Sequence, residues 1–181
     1  MKHEYTASYG RVRLQPLSEQ DSQQYRLIRN REENRSKFVF SGLITEEAQK
    51  LWYTRYLDTS GDCMFSVYDS ENRFIGGNAI YNISPDDLTA EYGRLLIDKE
   101  RCRSGGWGYE ATAAALKAAF CELGLKKVYL QVYADNTAAC KTYLKAGFRC
   151  INDTGAAGER RMTEMEITYD IFTSVYEKQC F

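Results

Sequence analysis

Arg103-Ser104-Gly105-Gly106-Trp107-Gly108-Tyr109-Glu110-Ala111 is a glycine-rich turn that opens directly into a helix. Three glycines within four positions permit positive φ and let a ligand reach the main chain with no Cβ in the way. The helix behind the turn leaves its first N–H groups unpaired and carries partial positive charge at that end. Together these features make an anion site, best suited to a phosphate or pyrophosphate. A hairpin through Gly105-Gly106 is the alternative, but a hairpin needs a strand after its turn. The residues after this turn are helical instead: Ala113, Leu116, Phe120 and Leu123 keep helical spacing, and Gly124-Leu125 supplies a C-terminal stop.

On the N-terminal side of the turn lie three strands, 63–68, 73–83 and 90–98, joined by the polar turns 69–72 and 84–87. An antiparallel meander is expected. Before them come an alternating strand at 11–17, a Ser18-capped helix to about Asn30 and a loop or short helix over 31–43. A Thr45-capped helix succeeds these, with Ala48, Leu51, Trp52 and Leu57 as its apolar stripe. Downstream lie a strand at 127–133, a helix at 136–146 ended by Gly147, and a strand from Phe148. A polar, glycine-rich mobile hairpin is expected over 153–160 and a last strand over 162–171. No repeat or linker divides the chain, so residues 1–181 are expected to form a single α+β domain.

The chain has 181 residues, enough for one sizeable core, and a net charge of −1. That balance gives no field for nucleic acid or a membrane surface, and no apolar run has spanning length. A soluble, cytoplasmic protein is expected. Six cysteines show no C-x-x-C spacing and the only histidine is His3, in a terminus expected to be mobile, so no metal site is expected. The thiols are expected to be free and mostly buried or inert, with Cys102 beside the turn the one to watch.

Gly106-x-Gly108-x-x-Ala111 also fits the dinucleotide fingerprint of a doubly wound sheet. There, the first glycine closely follows its strand, whereas polar residues 99–105 intervene here, and Asp135 comes late for a ribose-binding acid. The Walker phosphate-loop pattern is absent. Two other features point elsewhere. Arg103 precedes the glycines at Arg-x-x-Gly-x-Gly spacing, and Asn136 and Tyr143, seven apart, share one helix face.

With these two blocks in order, the chain resembles the GNAT family of acetyl-CoA-dependent N-acetyltransferases, most specifically over residues 91–148. The resemblance implies a three-layer fold: a central, mostly antiparallel sheet split at the CoA site between strands 90–98 and 127–133, with helices on both faces. It implies that main-chain groups of Leu96, Ile97 and Asp98 pair with the pantetheine arm. Arg103, Ser104, Gly105, Gly106, Trp107, Gly108 and Tyr109 would hold the pyrophosphate, and Asn136 would bond the pantetheine. Tyr143 is the implied proton donor to the departing thiolate, and Glu91 the candidate base. Gly93 just after Glu91 would mark a bulge that re-aims the strand.

The acceptor, a small-molecule amine or a protein N-terminal amine, is expected among residues 30–43, Trp52, 78–81 and 153–160, with Asn34 and Arg35 as contacts for a phosphate or carboxylate. The pattern Arg29-Asn30, Asn34-Arg35, Thr45-Glu46-Glu47 and Trp52 resembles the branch holding ribosomal-protein, spermidine and amino-sugar-nucleotide acetyltransferases. A homodimer is compatible with all of this. A non-catalytic CoA-binding regulatory module is the alternative, and a nicotinamide oxidoreductase the more distant one.

Overall fold

A computed structural model describes residues 2–38, 40–154 and 160–176. Its eight strands form one sheet in the order β1-β2-β3-β4-β5-β6-β8-β7. β1 (Ala7–Tyr9), β2 (Val12–Pro16), β3 (Cys63–Tyr68), β4 (Phe74–Ser84) and β5 (Thr89–Ile97) make an antiparallel meander. β6 (Lys127–Tyr133) joins β5 in parallel, and β8 (Met162–Thr168) pairs antiparallel with both β6 and the edge strand β7 (Arg149–Thr154). The helices are α1 (Glu19–Arg29), α2 (Glu32–Arg35), α3 (Glu46–Asp58), α4 (Trp107–Lys117), α5 (Thr137–Lys145) and α6 (Tyr169–Tyr176).

The core has two halves, one on each face of the sheet, which makes the three layers expected. Leu17, Tyr25, Ile28, Tyr53, Tyr56 and Met64 pack under α1 and α3. Phe65, Val67, Ile80, Tyr92, Leu116, Phe148 and Phe172 pack under α4 and α6. β3 and β4 lie between the two halves, so they bury both faces and lack polar alternation. On α4 the residues facing inward are Ala111, Ala114, Ala115 and Ala118, each fully buried. Their small side chains bring the helix axis close to the sheet. A π-helical turn (Ala118–Glu122) and Gly124 at φ +64° end the helix, with Leu125 buried over its last turn.

Four local expectations are corrected. The strand at 11–17 is the second of the sheet; Gly10, at φ +57°, turns the chain back onto an unforeseen β1. In α3, Leu51 and Leu57 are exposed, as is Ala48, and the buried face is Gln49, Tyr53 and Tyr56. Polar tips are tolerated inside because each is bonded: Gln49 donates to Ser22 Oγ at 2.7 Å, Tyr53 to the Leu17 carbonyl at 3.2 Å, and Tyr56 Oη accepts from the Met64 amide at 3.0 Å. The last strand stops at Thr168, whose hydroxyl accepts from the Ile171 amide and starts α6. Phe172 and Tyr176, four apart, then bury against the α4 side. His3, finally, is packed rather than mobile, its ring 4.9 Å from that of Phe65. The expected hairpin at 153–160 falls largely outside the described residues.

One close approach positions the site. Gly76 in β4 has φ +154°, and a Cβ there would lie 2.0 Å from the Leu96 carbonyl oxygen of β5. Gly76→Ala should therefore push β5 outward at Leu96, combining a backbone cost of about 1–3 kcal/mol with a steric one. A fall in Tm of several degrees is expected, at about 2–4 °C per kcal/mol for a domain this size. An unchanged melting curve would refute the constraint.

Candidate functional site

β5 and β6 pair only through Thr89↔Lys127, Ala90↔Val128 and Glu91↔Tyr129. Beyond Glu91 the strands part, and a cleft of about 780 Å³ opens between them. A bulge in β5 starts the divergence. The register with β4 passes from Ala79↔Gly93 to Gly77↔Leu96, so Asn78 alone faces Arg94 and Leu95. Arg94 takes φ +54°, a conformation a residue with a Cβ adopts only under constraint. Two contacts hold it: its carbonyl accepts from Tyr25 Oη at 2.9 Å, and its guanidinium grips both oxygens of Asp62 at 2.8 and 2.9 Å. Gly93 marks the place from sequence, one residue before the distorted one.

Glu91 lines the cleft where the strands fork. Its Oε1 accepts a 2.6 Å bond from Tyr81 Oη, and its Oε2 accepts from Asn82 Nδ2 at 2.9 Å. Burial first, then Glu91, raises the Tyr81 phenol above its usual range. Gly93 leaves room for this tyrosine, since a Cβ there would lie 2.8 Å from its hydroxyl. Leu96 and Ile97 run along the open edge and line the cleft. Asp98 does not line it. Its amide donates to the Ile75 carbonyl at 2.8 Å and its carbonyl accepts from the Cys102 amide at 2.9 Å. Its side chain is buried against Arg31 at 2.7 Å. Burial opposes ionisation of that carboxyl, but Arg31 and two backbone amides outweigh it and hold the group low.

At the far end, Gly106 caps α4 with φ +98°, and Ser104, Gly106, Trp107 and Gly108 line the cleft. A Cβ on Gly108 would sit 3.8 Å from Thr142 and 3.9 Å from Leu95, between the two walls. Gly105, Tyr109 and Arg103 do not line it. Arg103 is exposed, and among the described residues it makes no ion pair. The Tyr109 ring packs on Tyr9 at 5.7 Å.

A different arginine, unforeseen from the sequence, braces the turn. Arg11 binds the Glu110 carboxylate through Nη2 at 2.6 Å and through its own amide at 2.7 Å. It also donates to Ser104 Oγ and the Gly105 carbonyl, and lies 4.0 Å over the Trp107 ring. The Trp107 indole N–H completes the brace by donating to Ser104 Oγ at 3.1 Å. Only the position of Glu110 in the first helical turn, where a carboxylate favours the dipole, signals this pairing from sequence. Behind the turn, Tyr92 Oη meets Thr112 Oγ1 at 3.0 Å, and Thr112 donates to the Gly108 carbonyl at 2.8 Å. That buried chain ties β5 to the start of α4.

Asn136 and Tyr143 both line the cleft from α5. Asn136 Oδ1 caps α5 by accepting from the Ala139 amide at 3.4 Å, and its Nδ2 makes no hydrogen bond to the described residues. Tyr143 is buried among Tyr92 and Phe148, each 5.9 Å away ring to ring. Its hydroxyl likewise has no partner among the described residues, and burial raises its pKa well above the ordinary phenol value. Asp135 is bound by Arg160 at 2.8 Å, and Arg160 also donates to the Ser36 carbonyl, so it bridges one cleft wall to the other. Asp135 is thereby an ion-pair partner, not a ribose ligand.

At the acceptor end the cleft is walled by Arg29, Lys37, Phe38, Phe40, Gln49, Trp52 and Tyr81. Asn34 also faces it but is internally engaged, donating to the Ile28 carbonyl and accepting from Lys37; Arg35 does not line it. Asn78 is buried beneath, donating to the Ala111 carbonyl at 2.9 Å. The thiols add no nucleophile. Cys102 is pushed up to about 11 by burial and then by Asp98 and Asp69. Among the described cysteines Cys63 is buried, Cys102 and Cys140 are half-buried, and Cys121 and Cys150 are exposed. No cluster of metal-ligating side chains occurs among the described residues, and no described helix is long and apolar enough to cross a membrane.

Solved structures share this fold at low identity. A spermidine N-acetyltransferase from Vibrio cholerae in complex with CoA and spermine aligns at TM-score 0.80 and 20% identity, covering 90% of this chain and 98% of that one. A GCN5-related N-acetyltransferase from Brucella melitensis aligns at TM-score 0.77 and 18% identity, covering 98% and 85%. FdhC, a nucleotide-linked sugar GNAT, aligns at TM-score 0.78 and 15% identity, covering 95% and 94%. The sequence has no significant match among curated proteins. The model of the acetyltransferase (GNAT) domain matches residues 11–149, most of the chain and all of the cleft but its last wall, and the chain belongs to that family.

Proposed function

We propose that this acetyl-CoA-dependent N-acetyltransferase transfers its acetyl group by direct attack of a primary amine in a ternary complex. The observation that carries the proposal is the fork at Glu91, which leaves an open strand edge running from a carboxylate to the N-terminus of α4. Acetyl-CoA supplies the activated thioester. Its pyrophosphate fits the amides of residues 104–109 at the helix N-terminus, and its pantetheine the open edge at Leu96 and Ile97 with Asn136 Nδ2 as a further donor. Asp98, with both main-chain groups engaged, acts by fixing the loop after β5. Arg103 is solvent-facing and serves the phosphates only as a long-range charge. Arg11 sets the shape of the turn.

Three groups serve the chemistry. An amine near pKa 10 must lose a proton, and Glu91 takes it through water, held in register by Tyr81 and Asn82. The bulge aims a main-chain N–H near Leu96 at the thioester oxygen, where negative charge develops. Tyr143 donates a hydrogen bond to the sulfur as it leaves. A thiol titrates near 8.5 and burial drives the phenol higher than usual, so complete transfer from Tyr143 is uphill. The phenol therefore stabilises the thiolate while remaining protonated across the working pH range, and solvent completes the protonation.

A cytoplasmic location accords with the reduced state of Cys63, Cys102, Cys140 and Cys150. A homodimer accords with the open β7 edge and its exposed Ile151. The non-catalytic alternative is disfavoured by the Tyr143 hydroxyl, which lines the cleft with no hydrogen-bond partner among the described residues.

Three measurements test the reading. Gly108→Val should fold, since ordinary contact distances surround the added carbon, yet raise the KM for acetyl-CoA by an order of magnitude or so by filling the gap between Leu95 and Thr142; an unchanged KM refutes the placement. Tyr143→Phe should lower kcat by no more than about 10²-fold, the lower end for a lost acid, with no change in the alkaline limb of the pH–rate profile. Full activity would remove Tyr143 from the mechanism. Glu91→Gln should lower kcat by a similar factor and shift the rising limb to higher pH, because the amine must then arrive already neutral. An unaltered profile excludes Glu91 as the base.

A further inference from the structure

The acceptor half of the cleft holds positive charge that the protein does not neutralise. Arg29, at the end of α1, is 5% exposed and lines the cleft. Its guanidinium lies 3.8 Å over the Phe38 ring and donates through Nη2 to the Phe40 carbonyl, while Nη1 has no partner. No carboxylate of the described residues is within ion-pair distance of it. Lys37, half-buried, donates to Asn34 Oδ1; burial first and then the adjacent Lys99 lower its pKa, against a smaller raising effect from Glu33. Neither lysine belongs to an ion pair among the described residues.

The opposing charges are spent elsewhere. Arg94 is neutralised by Asp62, and the one carboxylate that lines the cleft among the described residues, Glu91, already accepts from Tyr81 and Asn82. A buried guanidinium without a counter-charge is costly to maintain. A ligand carboxylate or phosphate relieves that cost and matches the guanidinium fork. A polyamine does the reverse, bringing further ammonium groups beside Arg29 and Lys37.

We propose that the acceptor is an amine that also carries an anionic group, carboxylate or phosphate, and that Arg29, assisted by Lys37, recognises that group. The proposal rests on the acetyl-transfer reading above and sets the acceptor class apart from polyamines.

The test is CoA release with acceptor pairs that differ only in the anionic group: ornithine and putrescine, lysine and cadaverine, glucosamine 6-phosphate and glucosamine, with spermidine as the polyamine. The anionic member of at least one pair should have the higher kcat/KM by about tenfold or more, equivalent to one well-placed charge contact; the pair that responds tells carboxylate from phosphate. Arg29→Gln should reduce that ratio towards one, acting on the anionic member alone, and Arg29→Lys should restore part of it. Lys37→Gln, at a half-buried position, should give a smaller loss in the same ratio if the Arg29 variants do not fold.

Higher kcat/KM for spermidine or the decarboxylated amines, or equal losses for both members of a pair, overturns the proposal. If acetyl-CoA binds by calorimetry but no amine is acetylated, the transfer reading itself fails. Anion recognition is then decided by whether glutamate or inorganic phosphate raises the Tm of the CoA-bound wild type but not of Lys37→Gln; no rise with either probe also overturns it.

Discussion

Every part of this site depends on the ladder between β5 and β6 ending after three residue pairs. A buried sheet normally pairs each N–H and C=O with a neighbour, because an unsatisfied amide away from water costs about as much as a lost hydrogen bond. Here the protein keeps an interior edge open. Arg94 at positive φ breaks the repeat with β4, Tyr25 captures the displaced carbonyl, and Gly76 lets β4 follow the distorted strand closely. Remove any of the three and β5 straightens toward β6, which would close the edge that an extended ligand needs. The bulge thus leaves β5 with an edge unpaired by β6 along the cleft.

The walls of the fork are tied by ion pairs between residues far apart in sequence. Arg11 and Glu110 join the β1–β2 turn to α4, Arg31 and Asp98 join α2 to the end of β5, and Arg160 and Asp135 join the residues just before β8 to those just before α5. They differ in what they contribute. The Arg11 and Arg160 pairs are substantially exposed, a setting in which such contacts are worth about 0–1 kcal/mol. Their effect is on placement: Arg11 fixes four groups of the phosphate turn at once. The Asp98 side chain is 3% exposed and its partner 26%, so breaking that pair would strand a buried carboxylate.

The turn at the head of α4 is legible in the sequence because the residues that shape it are local. Gly106, Gly108 and the first turn of α4 lie within a few residues of one another, and Asn136 and Tyr143 share one short helix. The features that escaped it depend on partners distant in sequence. Arg103 adjoins the glycines in sequence and faces solvent, whereas the arginine that bonds the turn's own groups is Arg11, 99 residues before Glu110. The face of α3 was misjudged for a related reason. Leu51 and Leu57 are the more apolar choices, but Tyr53 and Tyr56 bury because Leu17 and Met64 offer them backbone partners, and no helical pattern reveals that.

Net charge misleads at the acceptor end in the same way. A sum of −1 describes the whole surface and says nothing of where charges meet. Carboxylates that balance the arginines are committed around the cleft: Asp62 to Arg94, Asp98 to Arg31, Glu110 to Arg11, Asp135 to Arg160. Subtracting these pairs leaves Arg29 and Lys37 without an ion pair among the described residues, in a low-dielectric wall where a charge acts far more strongly than in water. The two lie eight positions apart, Arg29 at the end of α1 and Lys37 in the segment after α2, and only folding places both in the cleft wall. A chain of net charge −1 thus carries a cationic patch in the cleft wall, and on the proposal above that local excess favours an amine bearing an anionic group.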